Sequence, residues 1–488
     1  MKTAAEKHTK TVAVISLGCP KNTVDSEVML GRLAQDNYLL VKDPSLAEVV
    51  IVNTCGFIEA SKKESIDTIL DVAKLRKTGN LKSLVVGGCL AHRYGDELRK
   101  ELPEIDILFG LNDVENVAEQ IKISPPRRHP LAAGQGQPKP RDAKLNIGQN
   151  QTFQVHPSQT QARPPMLPNS LNEAIYVYDA SSPRLLSTPS HFAYVKISEG
   201  CDLPCTFCII PKIRGHYRSR SLEDIEKEAH QLANQGVKEL CLVAQDSTWY
   251  GTDRYGKPKI AELLARLAKV NSIEWVRLHY LYPSRVTDEM LKVMADNPNI
   301  APYFDVPLQH ASDRILKSMQ RIGDRALLEK LIQRIRTSSP QASIRSTFIV
   351  GFPGETDNDF EELLGFLKSS SLDYVGFFAY SQEENTPAGV MENQVDEKVK
   401  KERLAEAYRV QEEIAVRSHQ RWVGEKLKAV VETVDDEGVQ GRTKYQAPEV
   451  DGIVLMEGFS NPKPGQWVEV EITHALEQDL VAKAIHNS

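Results

Sequence analysis

Six short apolar runs between Phe192 and Tyr380 restrict what this chain can fold into more than any other feature of it. They are Phe192–Ile197, Glu239–Ala244, Ile273–His279, Tyr303–Leu308, Ser343–Val350 and Tyr374–Tyr380, with helical patterns between most of them. A strand buried on both faces reads as such a run, and successive parallel strands need a crossover helix to join them. The series predicts six βα units. Eight such units close a barrel, so six predict an open, partial one.

A separate βα rhythm precedes it. Val12–Leu17, Val49–Val52 and Ser83–Val86 read as buried strands, and Ser26–Leu33 and Glu64–Ala73 as helices, the pattern of a doubly wound parallel sheet spanning 10–123. From Ser124 to Leu171 the texture changes: these 48 residues hold nine of the 27 prolines, with repeated Gln and Gly. Such a stretch buries too little apolar surface to fold alone, and 124–190 is expected to be a linker or insert, disordered at least to 171. The partial barrel takes 191–418 and ends in a long polar helix, Glu397–Gln420. In 419–488, Lys428–Thr433, Ile453–Leu455 and Trp467–Thr473 read as strands between Gly, Pro and Asn turns, which predicts a small β-barrel. The fold class is α/β, multidomain.

With 60 basic and 66 acidic residues, a net charge of −6, the chain is poorly suited to gripping a phosphate backbone as its main task. No apolar run reaches membrane-spanning length, and Met1–Lys10 is polar and lysine-bearing, unlike a signal peptide. Seven cysteines at scattered spacings suit reduced thiols better than a disulfide framework. The expected location is the cytoplasm, with no membrane partner.

Six of those cysteines form two groups. Cys201, Cys205 and Cys208 lie on one loop just after the run ending at Ile197. Structural zinc sites take four protein ligands, and no fourth stands nearby. A 4Fe-4S cluster held by three thiolates leaves one iron free to bind a further ligand. If that ligand is S-adenosylmethionine, an electron from the cluster can cleave its sulfonium and release a 5′-deoxyadenosyl radical. The spacing Cys-x-x-x-Cys-x-x-Cys, with Phe207 before the last cysteine, resembles the signature of the radical S-adenosylmethionine superfamily. The second group, Cys19, Cys55 and Cys89, has no ligand-like spacing, but each member stands one to three residues beyond a predicted strand. Carboxyl ends of neighbouring parallel strands converge on one crevice, so these thiolates can meet around a second cluster. Gly18, Gly56, Gly87 and Gly88 would allow close backbone approach. Taken alone, the three would equally suit core packing; beside a radical loop the cluster reading is preferred. Cys241, inside an apolar run, reads as core.

Longer segments carry a closer likeness. Ser16–Asn22 (SLGCPKN) with Asp25–Glu27, Asn53–Ile58 (NTCGFI), Gly88–Tyr94 (GCLAHRY), Lys196–Cys201, Cys208–Lys212 (CIIPK), Ala244–Asp246, Pro307–His310 and Phe348–Glu355 together resemble the radical S-adenosylmethionine methylthiotransferases. Within them the wording is similar to the branch that modifies a ribosomal protein. The resemblance covers nearly the whole chain outside the proline-rich insert, which is the departure from the family pattern. It implies an N-terminal methylthiotransferase domain, a radical domain and a terminal TRAM domain. It also implies two 4Fe-4S clusters, and S-adenosylmethionine as both methyl donor and radical source. By the same resemblance Cys19, Cys55, Cys89, Cys201, Cys205 and Cys208 are the catalytic cluster ligands. The implied substrate is an aspartate of small ribosomal subunit protein twelve, methylthiolated at its β-carbon. An electron donor such as flavodoxin or ferredoxin and a sulfur source complete the implied partners.

Phe207, Gln245, Asp246, His310, Gly351 and Gly354 are candidate cofactor contacts, each at the carboxyl end of a predicted strand or on the loop beyond it. For each, a structural role is the alternative: capping by Gln245 and Asp246, a turn for the glycines, a satisfied core histidine for His310. Arg214, His216, Arg218 and Arg220 form a basic stretch after the cluster loop, read either as contacts to substrate or cofactor carboxylate or as a solvated, charge-balancing loop. The terminal module, His419–Ser488, carries seven Lys/Arg against twelve Asp/Glu. A net of −5 suits a basic protein partner better than tRNA. The rival readings are a tRNA adenosine methylthiotransferase and a non-enzymatic iron–sulfur protein that binds the ribosome.

Overall fold

In the computed structural model, Lys10–Ile123 and Ile175–Ile485 are described. The proline-rich stretch Ser124–Leu171 lies outside these residues.

Two compact units divide the chain. Of the described residues, the first holds Lys10–Ile123 and Ile175–Leu185 together with Cys208–His216 and Glu383–Gly389. Its sheet contains β1 (Thr11–Ser16), β2 (Leu39–Leu40), β3 (Val49–Thr54), β4 (Ser83–Gly87) and β5 (Ile107–Leu108), all parallel, in the order β2-β1-β3-β4-β5. Every residue of β3 and β4 is buried, which is why both read as uninterrupted apolar runs. The helices run longer than the apolar pattern alone suggests, Pro20–Gln35 and Glu59–Thr78. Pro20 opens the first of them at a position where its missing N–H costs nothing, with the extended Cys19 as N-cap. Ile175–Leu185 also packs in this unit, tied by the Arg184–Glu27 pair (2.6 Å) and by Ser182 donating to Glu115 (2.5 Å).

The second unit contains the βα series and the terminal module. After β6 (Phe192–Lys196) comes a minor antiparallel pair, β7 (Ser198–Glu199) with β8 (Arg218–Ser219). The remaining series strands are β9 (Glu239–Val243), β10 (Trp275–Leu278), β11 (Tyr303–Asp305), β12 (Ser343–Val350) and β13 (Tyr374–Ala379). All six series strands expected from the sequence form. They pair as two parallel ladders, β10-β9-β6 and β11-β12-β13, joined through a lone bridge between Val276 and Ile300. β11 stops at Asp305 instead of Leu308, since Pro307 has no N–H to continue the ladder.

Side chains alternate across these strands. Ala193, Val195, Leu240, Leu242, Val276, Leu278, Phe304, Ile344, Phe348 and Phe377 all enter one apolar core with the surrounding helices. The other face carries Tyr194, Lys196, Arg277, His279, Tyr303, Asp305, Arg345 and Tyr374, the period-two partners of that set. A parallel sheet with so polar a second face needs polar partners on that side, and the terminal module supplies several of them.

The terminal module closes into a five-stranded barrel in the order β14-β15-β16-β18-β17. Its strands are β14 (Lys426–Asp435), β15 (Gly438–Thr443), β16 (Val454–Glu457), β17 (Trp467–Ala475) and β18 (Leu480–Ala484). Trp422, Val431, Tyr445, Met456, Val470 and Ile472 fill its centre. The loop after β15 docks onto the polar face of the series. Arg442 pairs with Glu239, Asp451 with Arg345 (3.3 Å), and Glu449 accepts from the Tyr194 hydroxyl (2.7 Å).

Candidate active site

In the first unit, Cys19, Cys55 and Cys89 follow β1, β3 and β4, three adjacent strands of the sheet. Their loops are stitched by buried amides. Asn22 donates to the carbonyls of Leu17 (2.9 Å) and Thr54 (3.0 Å), and Asn53 donates to the Asn22 carbonyl (2.9 Å) and to Ser26 Oγ (2.9 Å). Ser65 Oγ accepts from Cys55 N–H (3.0 Å) and donates to the carbonyl of the same residue (2.9 Å). Gly18 has φ +86°, and a Cβ there would lie 2.7 Å from Cys55 Cβ and 2.8 Å from its sulfur. That glycine lets the first loop close onto the second.

The thiols sense one another. Burial is the main cause that raises Cys89, to about 12, and the charges of Cys19 and Cys55 add to it while Arg214 opposes them. Burial also raises Cys55, again with Cys19 adding. For Cys19 burial works in the same upward direction, but Lys21 and Arg214 outweigh it and the thiol is lowered. Among the described residues no three His, Cys, Asp or Glu side chains close to the spacing of a single metal ion. Three thiols at the ends of adjacent strands, with the Arg214 cation beside Cys89, are the donor type that 4Fe-4S clusters take.

Arg214, from the basic stretch after the cluster loop, is 2% exposed. It donates to Asn22 Oδ1 (2.5 Å) and to Cys89 Sγ (3.3 Å), with Asp25 at 3.4 Å. Arg220 is equally buried, on Asp224 (2.7 Å) and Glu228 (2.5 Å). The reading of this stretch as a solvated loop is therefore corrected for both arginines: burial forces each guanidinium to find acceptors inside the fold.

In the second unit, Cys201 and Cys205 begin the cluster loop directly after β7, and Gly200 takes φ +76° to turn the chain. Thr206 fixes the loop through its N–H to the Met319 carbonyl (3.1 Å) and its hydroxyl to the Ser318 carbonyl (2.9 Å). Arg321 donates to Cys205 Sγ (3.7 Å) and stacks 4.1 Å over the Tyr282 ring. Phe207 follows on the same loop, half-buried. Near the strand ends Glu199 is held by Lys196 (2.7 Å) and by Gln245 (2.8 Å).

The remaining candidates have structural partners. Asp246 caps the short helix Ser247–Trp249 through Thr248 N–H (3.0 Å) and pairs with Arg285 (2.5 Å). His310 accepts from Ser312 N–H (3.0 Å) and lies 3.3 Å from Glu355, which Arg403 holds at 2.7 Å. Gly351, at φ +72°, has Lys400 where a Cβ would be, and Gly354 takes φ +80°. Lys196 and Glu199 lie in a segment the sequence singles out for its family likeness, without a role for either, and Arg321 and the His279–Asp305 pair (3.5 Å) lie outside every such segment. The period-two alternation of the strands was the signal for His279 and Asp305; Arg321 had none.

Known proteins match this arrangement in parts and as a whole. Residues 11–110 fit the Uncharacterized protein family UPF0004, 195–367 the Radical SAM superfamily and 423–485 the TRAM domain. The ribosomal protein uS12 methylthiotransferase RimO of Desulforamulus reducens is 44% identical over 97% of this chain and 99% of its own length. This chain belongs to the uS12 methylthiotransferase family. The RimO proteins of Clostridioides difficile (42% identical, 97% of this chain and 99% of theirs) and Anaeromyxobacter sp. (43%, 96% and 92%) agree. Among solved structures, the radical S-adenosylmethionine methyltransferase TsrM from Kitasatospora setae, with cobalamin and a [4Fe-4S] cluster bound, shares the fold. Its TM-score is 0.51 at 16% identity, covering 78% of this chain and 74% of that one. Membership in the radical superfamily carries S-adenosylmethionine and a 4Fe-4S cluster as the family's cofactors. Among the described residues no helix is long and apolar enough to cross a membrane.

Proposed function

We propose that this protein is a radical S-adenosylmethionine methylthiotransferase that adds a methylthio group to the β-carbon of an aspartate on small ribosomal subunit protein twelve, acting in the cytoplasm. The observation that carries the reading is near full-length identity of 44% to a uS12 methylthiotransferase, supported by Cys19, Cys55 and Cys89 at the ends of adjacent strands and by the closely spaced Cys201, Cys205 and Cys208. Cys201, Cys205 and Cys208 would hold one 4Fe-4S cluster and Cys19, Cys55 and Cys89 a second. With S-adenosylmethionine bound, the first cluster would supply a hydrogen-abstracting radical, and the second would offer a place for sulfur and methyl to be joined.

The chain's own residues do the rest. Thr206 and Arg321 fix the cluster loop. The polar ends of β6 and β9, where Lys196 and Gln245 orient Glu199, offer charged and amide groups for the amino-acid moiety of the cofactor. Asp246, His310, Gly351 and Gly354 shape the rim from behind. A reductant such as flavodoxin or ferredoxin and a sulfur source are required by the chemistry.

Substrate choice rests on charge. Within the terminal barrel eight exposed acidic residues face solvent against four exposed lysines, so its acidity lies on the surface and not only in the buried pairs. That surface suits a basic ribosomal protein and repels tRNA phosphates. Reconstituted, reduced protein should form 5′-deoxyadenosine from S-adenosylmethionine, faster when the ribosomal protein is added. Absence of cleavage would favour the non-enzymatic rival, and stimulation by tRNA alone the tRNA-modifying one.

A further inference from the structure

Arg214 is a cation with no exit to solvent, placed on the sulfur of Cys89. Its fork is divided: one terminal nitrogen serves both Asn22 Oδ1 (2.5 Å) and Cys89 Sγ (3.3 Å), and the other faces Asp25 Oδ2 at 3.4 Å. Arg214 and Asp25 are 2% and 3% exposed at their side chains, so neither charge is screened by bulk water. Asn22 is itself fixed by two carbonyls of the cysteine loops, which pins the guanidinium in place. Reduction of an iron–sulfur cluster adds one negative charge, and its potential responds to net charge and to hydrogen bonds on the sulfurs.

We infer that Arg214 sets the reduction potential of the cluster held by Cys19, Cys55 and Cys89, raising it through the hydrogen bond to Cys89 and the buried positive charge, with Asp25 acting in opposition. This rests on the reading that those three cysteines hold a cluster. Arg214 is a positioning and tuning residue in this account; it takes no part in bond making. Lysine cannot replace it, because one ammonium lacks the planar fork that reaches Asn22, Cys89 and Asp25 together.

The test uses the full chain carrying Cys201→Ala, Cys205→Ala and Cys208→Ala, so that only the second cluster remains. EPR-monitored redox titration reads its potential, beside iron and acid-labile sulfide analysis. Arg214→Gln should shift the one-electron equilibrium at least about tenfold against the reduced form, which is about 59 mV. Arg214→Lys should shift it less, in the same direction. Asp25→Asn should shift it the opposite way, a sign reversal that a purely structural role for either residue does not produce. If Arg214→Gln takes up no iron, Arg214→Lys and Asp25→Asn decide the matter. Unchanged potentials in the variants that hold iron would overturn the inference. A triple-alanine parent that binds no iron at all would instead overturn the assignment of the second cluster.

Discussion

Arg442 links the terminal barrel to the βα series through charges that have no access to water. It is 1% exposed, pairs with the fully buried Glu239 and with Glu432 (2.6 Å), and lies 5.6 Å from the Phe192 ring centre and 5.7 Å from that of Trp275. Replacing it with Met keeps much of the volume and removes the charge. Breaking a buried ion pair from one side costs about 3–5 kcal/mol, because the partner is left buried and uncompensated. Here Arg277 stays on Glu239 at 2.8 Å, and Glu432 is 22% exposed, so the lower end applies, about 3 kcal/mol. Lys428→Met is the control. Its pair with Glu274 (2.7 Å) is 41% exposed on both sides, and such pairs are worth about 0–1 kcal/mol. All four tryptophans, 249, 275, 422 and 467, fall in the second unit, so fluorescence-monitored urea unfolding reports that unit alone. Adding Glu239→Gln to Arg442→Met should deepen the loss, since the fully buried Arg277 then loses its carboxylate partner. If Arg442→Met costs no more than Lys428→Met, the buried network does not hold the barrel in place.

Two further outcomes follow from the cysteine crevice and from the buried end of the helix Glu397–His419. Gly18→Ala forces a side chain into left-handed backbone and against Cys55, so iron content should fall from about eight per chain toward about four, with the loss confined to the second site. His419, fully buried against Tyr374 at 5.0 Å between ring centres, is lowered chiefly by burial, with Arg421 adding and Asp373 opposing. Its folded form resists a proton that the unfolded chain accepts below pH 6.5, so stability falls as the pH drops through that value. His419→Asn removes this contribution, which is at most about 1.4 kcal/mol per pH unit, and the urea midpoint should vary less between pH 7 and 5.5; an unchanged slope would contradict the assignment.

Much of this architecture was legible because parallel strands buried on both faces leave unbroken apolar runs. Cys19, Cys55 and Cys89 were placed at strand ends for the same reason, although their separations in sequence carry no ligand pattern. β15 and β18 escaped notice. Gly438–Thr443 is rich in Gly and polar residues and reads as a turn, and Gly441 is there because a Cβ would lie 2.1 Å from the Val430 carbonyl oxygen across the ladder. Leu480–Ala484 is too short to show alternation. The charged partnerships were equally hidden. Arg442 with Glu239, and Arg345 with Asp451, join residues more than a hundred positions apart, and no local period encodes such pairs. For Arg214 the sequence offered a basic stretch; only burial beside Asn22 and Cys89 distinguishes it from its neighbours.

The most direct test of the account is the intact mass of small ribosomal subunit protein twelve from cells with and without this gene. The account predicts a loss of roughly 46 Da on deletion, a methylthio group giving way to hydrogen, restored by the wild-type gene and by neither Cys19→Ala nor Cys201→Ala. An unchanged mass, accompanied by loss of a modified adenosine from tRNA, would contradict the protein substrate.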